Sequence, residues 1–148
     1  MKKVLTFCFL LFLTVSLISF YSCEKPGCID PDSINYDPDA TTDDGSCQYE
    51  GNAVIWYGSA TAQELINDGA TSLFYYVDGQ LVGSTAASFY FTAAPNCGQS
   101  GTITITKSLG FSKTLNFPFS VKDQTGFEYW NGTLTFNAND CFKMELTW

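Results

Sequence analysis

Histidine and arginine are both absent from this 148-residue chain. Without histidine there is no Ser-His-Asp or Cys-His catalysis, no imidazole zinc site and no haem ligand of that kind. The lack of arginine, and seven lysines against fifteen acidic residues for a net charge of −8, argue against a general phosphate-backbone binder, and nucleic acid is not expected as a partner. What is plentiful instead is sulfur and aromatic surface: six cysteines, thirteen phenylalanines, eight tyrosines and three tryptophans. That is the material of a cross-linked β domain with one aromatic core.

Lys2 and Lys3 precede an apolar run from Val4 to Phe20. A charged start followed by a short apolar stretch is a secretory signal, whereas a permanent membrane helix needs about 20 apolar residues. Residues 1–22 are therefore expected to be a signal peptide, leaving about 126 residues, the size of one domain plus a short segment. Ile18 to Cys23, ending in Ser22-Cys23, resembles the lipobox of bacterial lipoproteins in the relaxed form common in Bacteroidota. Phe20 and Tyr21 stand where Leu and a small residue are usual. The resemblance implies that Cys23 is acylated and becomes the first residue of the mature chain, so that the membrane is a partner through N-terminal acyl chains. One buried CH₂ is worth about 0.8 kcal/mol, so one chain anchors only marginally and two or three anchor stably. The implied address is the cell envelope, as an outer-membrane lipoprotein. Either face stays open, since Glu24-Lys25 is not the dense acidic run that marks export to the outer one.

With Cys8 in the signal and Cys23 lipidated, Cys28, Cys47, Cys97 and Cys141 remain, an even number in an exported chain, which reads as two disulfides. Three connectivities are open. Cys28–Cys47 and Cys97–Cys141 are preferred because each pair lies within one compositional segment. Loop-closure entropy gives roughly 3 kcal/mol for the shorter loop and roughly 4 for the longer. A Cys₄ metal site usually shows C-x-x-C spacing, which is missing here.

Composition changes sharply after Lys25. From Cys28 to Tyr49 the chain carries six aspartates and no base. Two Asp-Pro steps and Asp44-Gly45 set turns. Ile29, Ile34, Tyr36 and Ala40 are too few to form a core, so the disulfide must do much of the ordering. Gly27, Cys28, Asp30, Pro31, Asn35, Tyr36, Pro38, Ala40, Asp43, Asp44, Gly45, Ser46, Cys47 and Tyr49 resemble a short module of exported Bacteroidota proteins, G-C-x-D-P-x-A-x-N-Y-x-P-x-A-x-x-D-D-G-S-C-x-Y, with Ser33 in place of the usual Ala. The resemblance implies location and fold more than function.

Asp30, Asp32, Asn35, Asp37, Asp39, Asp43 and Asp44 could supply the six to eight oxygens that calcium takes, within one closed loop. An ion would also relieve the repulsion among the carboxylates. The EF-hand spacing is not met, because Thr41 stands two residues after Asp39. The alternative is a solvated acidic tether whose aspartates cap turns. Asp32-Ser33-Ile34 resembles the D-[ST]-aliphatic motif at which some Bacteroidota attach O-glycans, which would place a glycan on Ser33. Asn131-Gly132-Thr133 is a formal N-glycosylation sequon, read here as a strand-edge turn.

From about Gly51 to Trp148, aromatic and β-branched residues alternate with turn punctuation. Strands are expected at Ala53–Tyr57, Thr71–Asp78, Gln80–Ser84, Phe89–Thr92, Thr102–Thr106, Lys113–Lys122, Phe127–Phe136 and through Phe142, Met144 and Leu146. Asp78-Gly79 is a strong hairpin signal. Ala62–Asp68 is a helical turn or a loop. Pro118 removes a ladder donor and argues for an edge or bulged strand. Seven or eight short strands in about 98 residues suggest a small antiparallel β-sandwich of an all-β class. The expected organisation is 1–22 signal, 23–50 lipid-anchored acidic module and 51–148 sandwich. The stretch Phe74-Tyr75-Tyr76-Val77-Asp78-Gly79-Gln80-Leu81-Val82-Gly83-Ser84-Thr85 is similar to the hairpin of PEGA-type and transthyretin-like modules, and Gly126, Trp130, Gly132 and the Cys97/Cys141 pair to small Bacteroidota lipoprotein domains. The resemblance implies a binding or spacer module on the cell envelope, without catalytic apparatus.

Three functions follow. The first is a non-catalytic envelope module that is structural or binds an envelope protein or glycan. The second is surface carbohydrate binding through aromatic stacking. Its candidates are Trp56, Tyr57, Tyr75, Tyr76, Tyr90, Tyr129, Trp130 and Trp148, with Trp56, Tyr57 and Trp130 foremost, and it requires two or three of them to line one exposed face. The third is a carboxylate glycosidase drawing on Glu64, Asp68, Asp78, Asp123, Glu128, Asp140 or Glu145. These lie mostly at turns, in a domain with little room for a cleft, so no enzyme is expected.

Overall fold

The computed structural model describes residues 24–148. The signal segment, Cys8 and the lipidation site Cys23 lie outside them.

The acidic module is closed by the Cys28–Cys47 disulfide, the expected pairing. A short parallel contact between β1 (Pro26–Gly27) and β2 (Thr42–Asp43) closes it a second time. Ile29, Ile34 and Tyr36 are exposed, while both cysteines are buried. The sulfurs are thus much of the module's apolar contribution, and they join the same buried cluster as the β domain. No separate small core is required.

β3 (Tyr49–Trp56) leaves the second cysteine directly and becomes the middle strand of a three-stranded sheet. It starts at Tyr49 rather than Ala53, because the module hands it a buried aromatic at its first position. On one side it pairs antiparallel with β6 (Thr104–Gly110), on the other parallel with β9 (Cys141–Glu145). The second sheet has four strands in the order β5 (Gln80–Ala86), β4 (Ser72–Val77), β7 (Thr114–Asp123), β8 (Glu128–Asn137), with every pair antiparallel. The antiparallel expectation therefore holds for this sheet and for β3 with β6, and fails for the pair of β3 with β9. The reason lies in the Asn137–Asp140 turn, which passes the chain to the other sheet instead of folding β9 back on β8. There Asn139 N donates to Glu50 O and Asn52 N to Asp140 O, both at 3.0 Å.

Side-chain alternation puts Leu73, Tyr75 and Val77 of β4, Phe119 and Val121 of β7, and Leu134 and Phe136 of β8 into one buried cluster with Ile55, Ile105 and Leu109 of the other sheet. The Asp78-Gly79 hairpin takes the left-handed geometry its residues favour, with φ of 56° and 73°. Cys97–Cys141 ties the loop before β6 to the start of β9, as expected.

Three expectations are corrected. The Pro118 strand is interior, flanked by β4 and β8. A residue in a strand aims its N–H and C=O the same way, and Pro118 O accepts from Asp78 N at 2.8 Å, just past the last paired residue of β4. The missing donor therefore faces a hairpin turn, and no ladder bond is lost. Phe89–Thr92 forms no strand. Phe91 N donates to Tyr57 O, and Phe89 packs edge-on against Phe91. Ala62–Asp68 belongs to a true helix, α1 (Ser59–Asn67), which buries Thr61, Ala62 and Leu65. It ends in a Schellman motif, with Ala70 N donating to Leu65 O, Gly69 N to Ile66 O, and Gly69 at φ 89°. Apart from α1 and two-residue pairings in the module, the described chain is all-β.

Candidate functional site

The seven acidic-module residues read as calcium ligands do not meet at one point. Asp30 and Asp32 face Lys113, at 2.6 and 3.2 Å. Tyr49 Oη donates to the same Asp30 oxygen at 2.8 Å. Lys113, then the Tyr49 hydroxyl and the Asp32 amide, hold the Asp30 carboxyl down at about 2. Asp37 and Asp39 face Lys25, at 2.8 and 3.7 Å, and Lys25 is the main cause of a lowered Asp37 carboxyl. Asp43 and Asp44 accept the amides of Gly45 and Ser46 at 3.0 and 2.9 Å. Asn35 bridges the two arms of the loop, accepting Gln48 N and donating to Ser46 O, both at 2.8 Å. Among the described residues no group of three Asp, Glu or Cys side chains is arranged to hold an ion. The segment has no base of its own, so the sequence alone shows only repulsion. Its lysine partners come from just before it and from the turn between β6 and β7, 81 residues away in sequence from Asp32.

Ser33 is corrected as a glycan acceptor. It is buried, its Oγ donates to Asp30 O, and it lies 2.8 Å from Cys28 Sγ. Tyr57 is corrected as a stacking residue. It is 2% exposed, with its hydroxyl held 3.2 Å from both the Ala86 and Ala87 carbonyls. Trp56 is partly covered, and its Nε1 is buried without a partner among the described residues.

Trp130 is different. It lines an open cleft of about 220 Å³ together with Tyr129, Thr147 and Trp148. Adjacent residues on a strand normally face opposite ways. Here Val121 pairs with Trp130 and Lys122 with Glu128, so Tyr129 is the extra residue of a β-bulge. A bulge re-aims a side chain, and the Tyr129 ring centroid lies 5.6 Å from those of both Trp130 and Trp148. Three elements hold the cluster in place. Trp130 Nε1 donates to Thr147 O at 3.0 Å, which fixes the segment after β9. Tyr129 Oη donates to Asp68 Oδ2 at 2.7 Å, at the end of α1. Burial, and then Asp68, pushes the Tyr129 phenol up to about 12. Phe127 packs edge-on against Tyr129 from the bulge side. Phe127 and Trp148 remain 59% and 60% exposed, so much of the aromatic surface is open to solvent.

Of the three foremost stacking candidates, the structure brings only Trp130 to this cleft. Tyr129 and Trp148 complete it. The sequence gives no sign of the role of Asp68, because nothing in it places the end of α1 beside β8. No protein-family model, curated protein or solved structure matches the chain.

Proposed function

We propose that this chain is a non-catalytic cell-envelope lipoprotein, an interaction module whose working surface is the Tyr129–Trp130–Trp148 cleft. Acyl chains on Cys23 anchor it, the acidic module is a firm base, and the two sheets pack as a sandwich. The observation that carries this reading is the bulge that turns Tyr129 onto the same side as Trp130, since a strand needing only its core would keep its pairing. The firm base is supported by the buried Cys28–Cys47 pair and the Lys113 clamp. The non-catalytic part is supported by the employment of the carboxylates: Asp123 caps a turn, Asp68 takes Tyr129, Glu128 pairs with Lys122 and Asn131, and Asp140 accepts the Cys141 amide.

Two measurements test it. The intact mass of protein extracted from membranes should show acyl chains on residue 23, and an unmodified cysteine there refutes the anchor. A form exported behind a conventionally cleaved signal, carrying Cys23→Ser and so no acyl chains, should bind isolated cell envelopes, and Trp148→Ala in that form should weaken the binding about tenfold; equal retention of both forms refutes the cleft as the working surface.

The carbohydrate-binding reading is a special case favoured by one arrangement. Its requirement of two or three Tyr or Trp on one open face is met by the three rings of the cleft.

A further inference from the structure

Taking the chain as an envelope interaction module, on which this step rests, we propose that the Tyr129–Trp130–Trp148 cleft receives one pyranose ring of a glycan that carries no negative charge. The site is built before any ligand arrives. The polar tips of Trp130 and Tyr129 are tied to Thr147 O and Asp68, which leaves those two rings little freedom to lose on binding, while Trp148 is held by ring contacts with both. What remains open is ring surface, whose negative π face suits the weakly positive C–H face of a sugar ring.

Shape selects the number of sugar units. The rings of Trp130 and Trp148 meet at 82°, and the Tyr129 ring is tilted 39° and 46° from them. This is a corner with a floor and a wall, not a flat platform along which a chain could lie. A cleft of about 220 Å³ lined by four residues accepts a single ring.

Charge selects the kind. Both charges that bear on the Tyr129 phenol are carboxylates, Asp68 and Asp123, on a chain of net charge −8. A uronate or a phosphorylated sugar would be repelled.

The test uses the full chain purified from envelopes, in a detergent with neither sugar nor choline headgroups. Its three tryptophans, Trp56, Trp130 and Trp148, give three indole N–H resonances by NMR. Neutral gluco- and N-acetylglucosamine oligomers should shift Trp130 and Trp148 and leave Trp56 in place. Oligogalacturonate should shift none of them. Trp148→Ala should weaken binding about tenfold by removing one stacking ring, and Trp148→Phe should recover most of it, with both variants melting like the parent. The proposal is overturned if no neutral sugar moves the two resonances, if the uronate binds as well as neutral sugar, or if choline binds more tightly than any sugar, which would make the corner an ammonium cage. Weaker envelope retention of the unacylated form on Trp148→Ala, with no sugar bound, would sink the glycan assignment and leave the interaction module standing. Sugar-induced shifts with retention independent of Trp148 would do the reverse.

Discussion

At the scale of single residues, the most consequential contact is Lys113 with Asp30. The Asp30 carboxyl sits at about 2 when folded, below the ordinary aspartate value of about 3.9. A depressed carboxyl contributes stability above its unfolded value and loses it as pH falls through its folded one. Melting temperature should therefore decline between about pH 4 and pH 2, and Lys113→Met should lower it at neutral pH and flatten that decline. A variant whose melting-versus-pH curve matches the parent would show that the clamp carries nothing. Gly51 makes a second residue-level case. A Cβ there would lie 2.7 Å from Asn137 O and 3.1 Å from Phe136 Cβ, against backbone and core rather than a flexible tip. Gly51→Ala should cost about 1–3 kcal/mol in denaturant unfolding. The six aspartates were legible as turn formers, and Asp43 and Asp44 serve as such. Their lysine partners were not, because an ion pair between Asp32 and Lys113 spans 81 residues and leaves no local pattern.

At the scale of elements, alternation located the strands well wherever one face is buried. Leu115, Phe117, Phe119 and Val121 share a side of β7 as expected, with burial deepening toward Val121. Alternation failed where a pairing partner matters more than local pattern. Whether a proline strand is interior depends on where its neighbour stops, and the bulge at Tyr129 depends on the register of β7 against β8. The full length of the helix is not legible in the sequence because Gly58, its N-cap, offers no capping side chain, and its stop signal, Asp68-Gly69, also reads as a turn. β9 is a five-residue edge strand, held by β3 on one side and by the Cys97–Cys141 link at its first residue. Replacing both cysteines with serine should cost about 2–4 kcal/mol, and amide exchange should accelerate first from Cys141 to Glu145. Uniform acceleration across both sheets would mean that the link braces the whole domain instead.

At the scale of the whole molecule, the two disulfides and the division into an acidic segment and a β domain were readable from composition. The joining of the two parts was not. Composition changes near Gly51, yet β3 runs through that point, and Cys28, Cys47 and Tyr49 belong to the common core. Because Lys113 and Lys25 each already stand between two of the aspartates, and among the described residues no three carboxylates converge, millimolar calcium should leave the melting temperature of the oxidised chain unchanged. A rise of several degrees would instead restore the ion-binding role of the loop.

The parallel pairing of β3 and β9 has a mechanical consequence. Were the chain anchored at Cys23 as proposed, tension would enter through Cys28, cross the sulfur bridge to Cys47 and pull on the leading end of β3. A load gripped at Trp148 pulls on the trailing end of β9. Neighbouring strands that run the same way and are drawn from opposite ends slide in shear, so their hydrogen bonds share the strain together instead of unzipping one by one. A domain wired in this way withstands a hard pull between its two ends without coming apart.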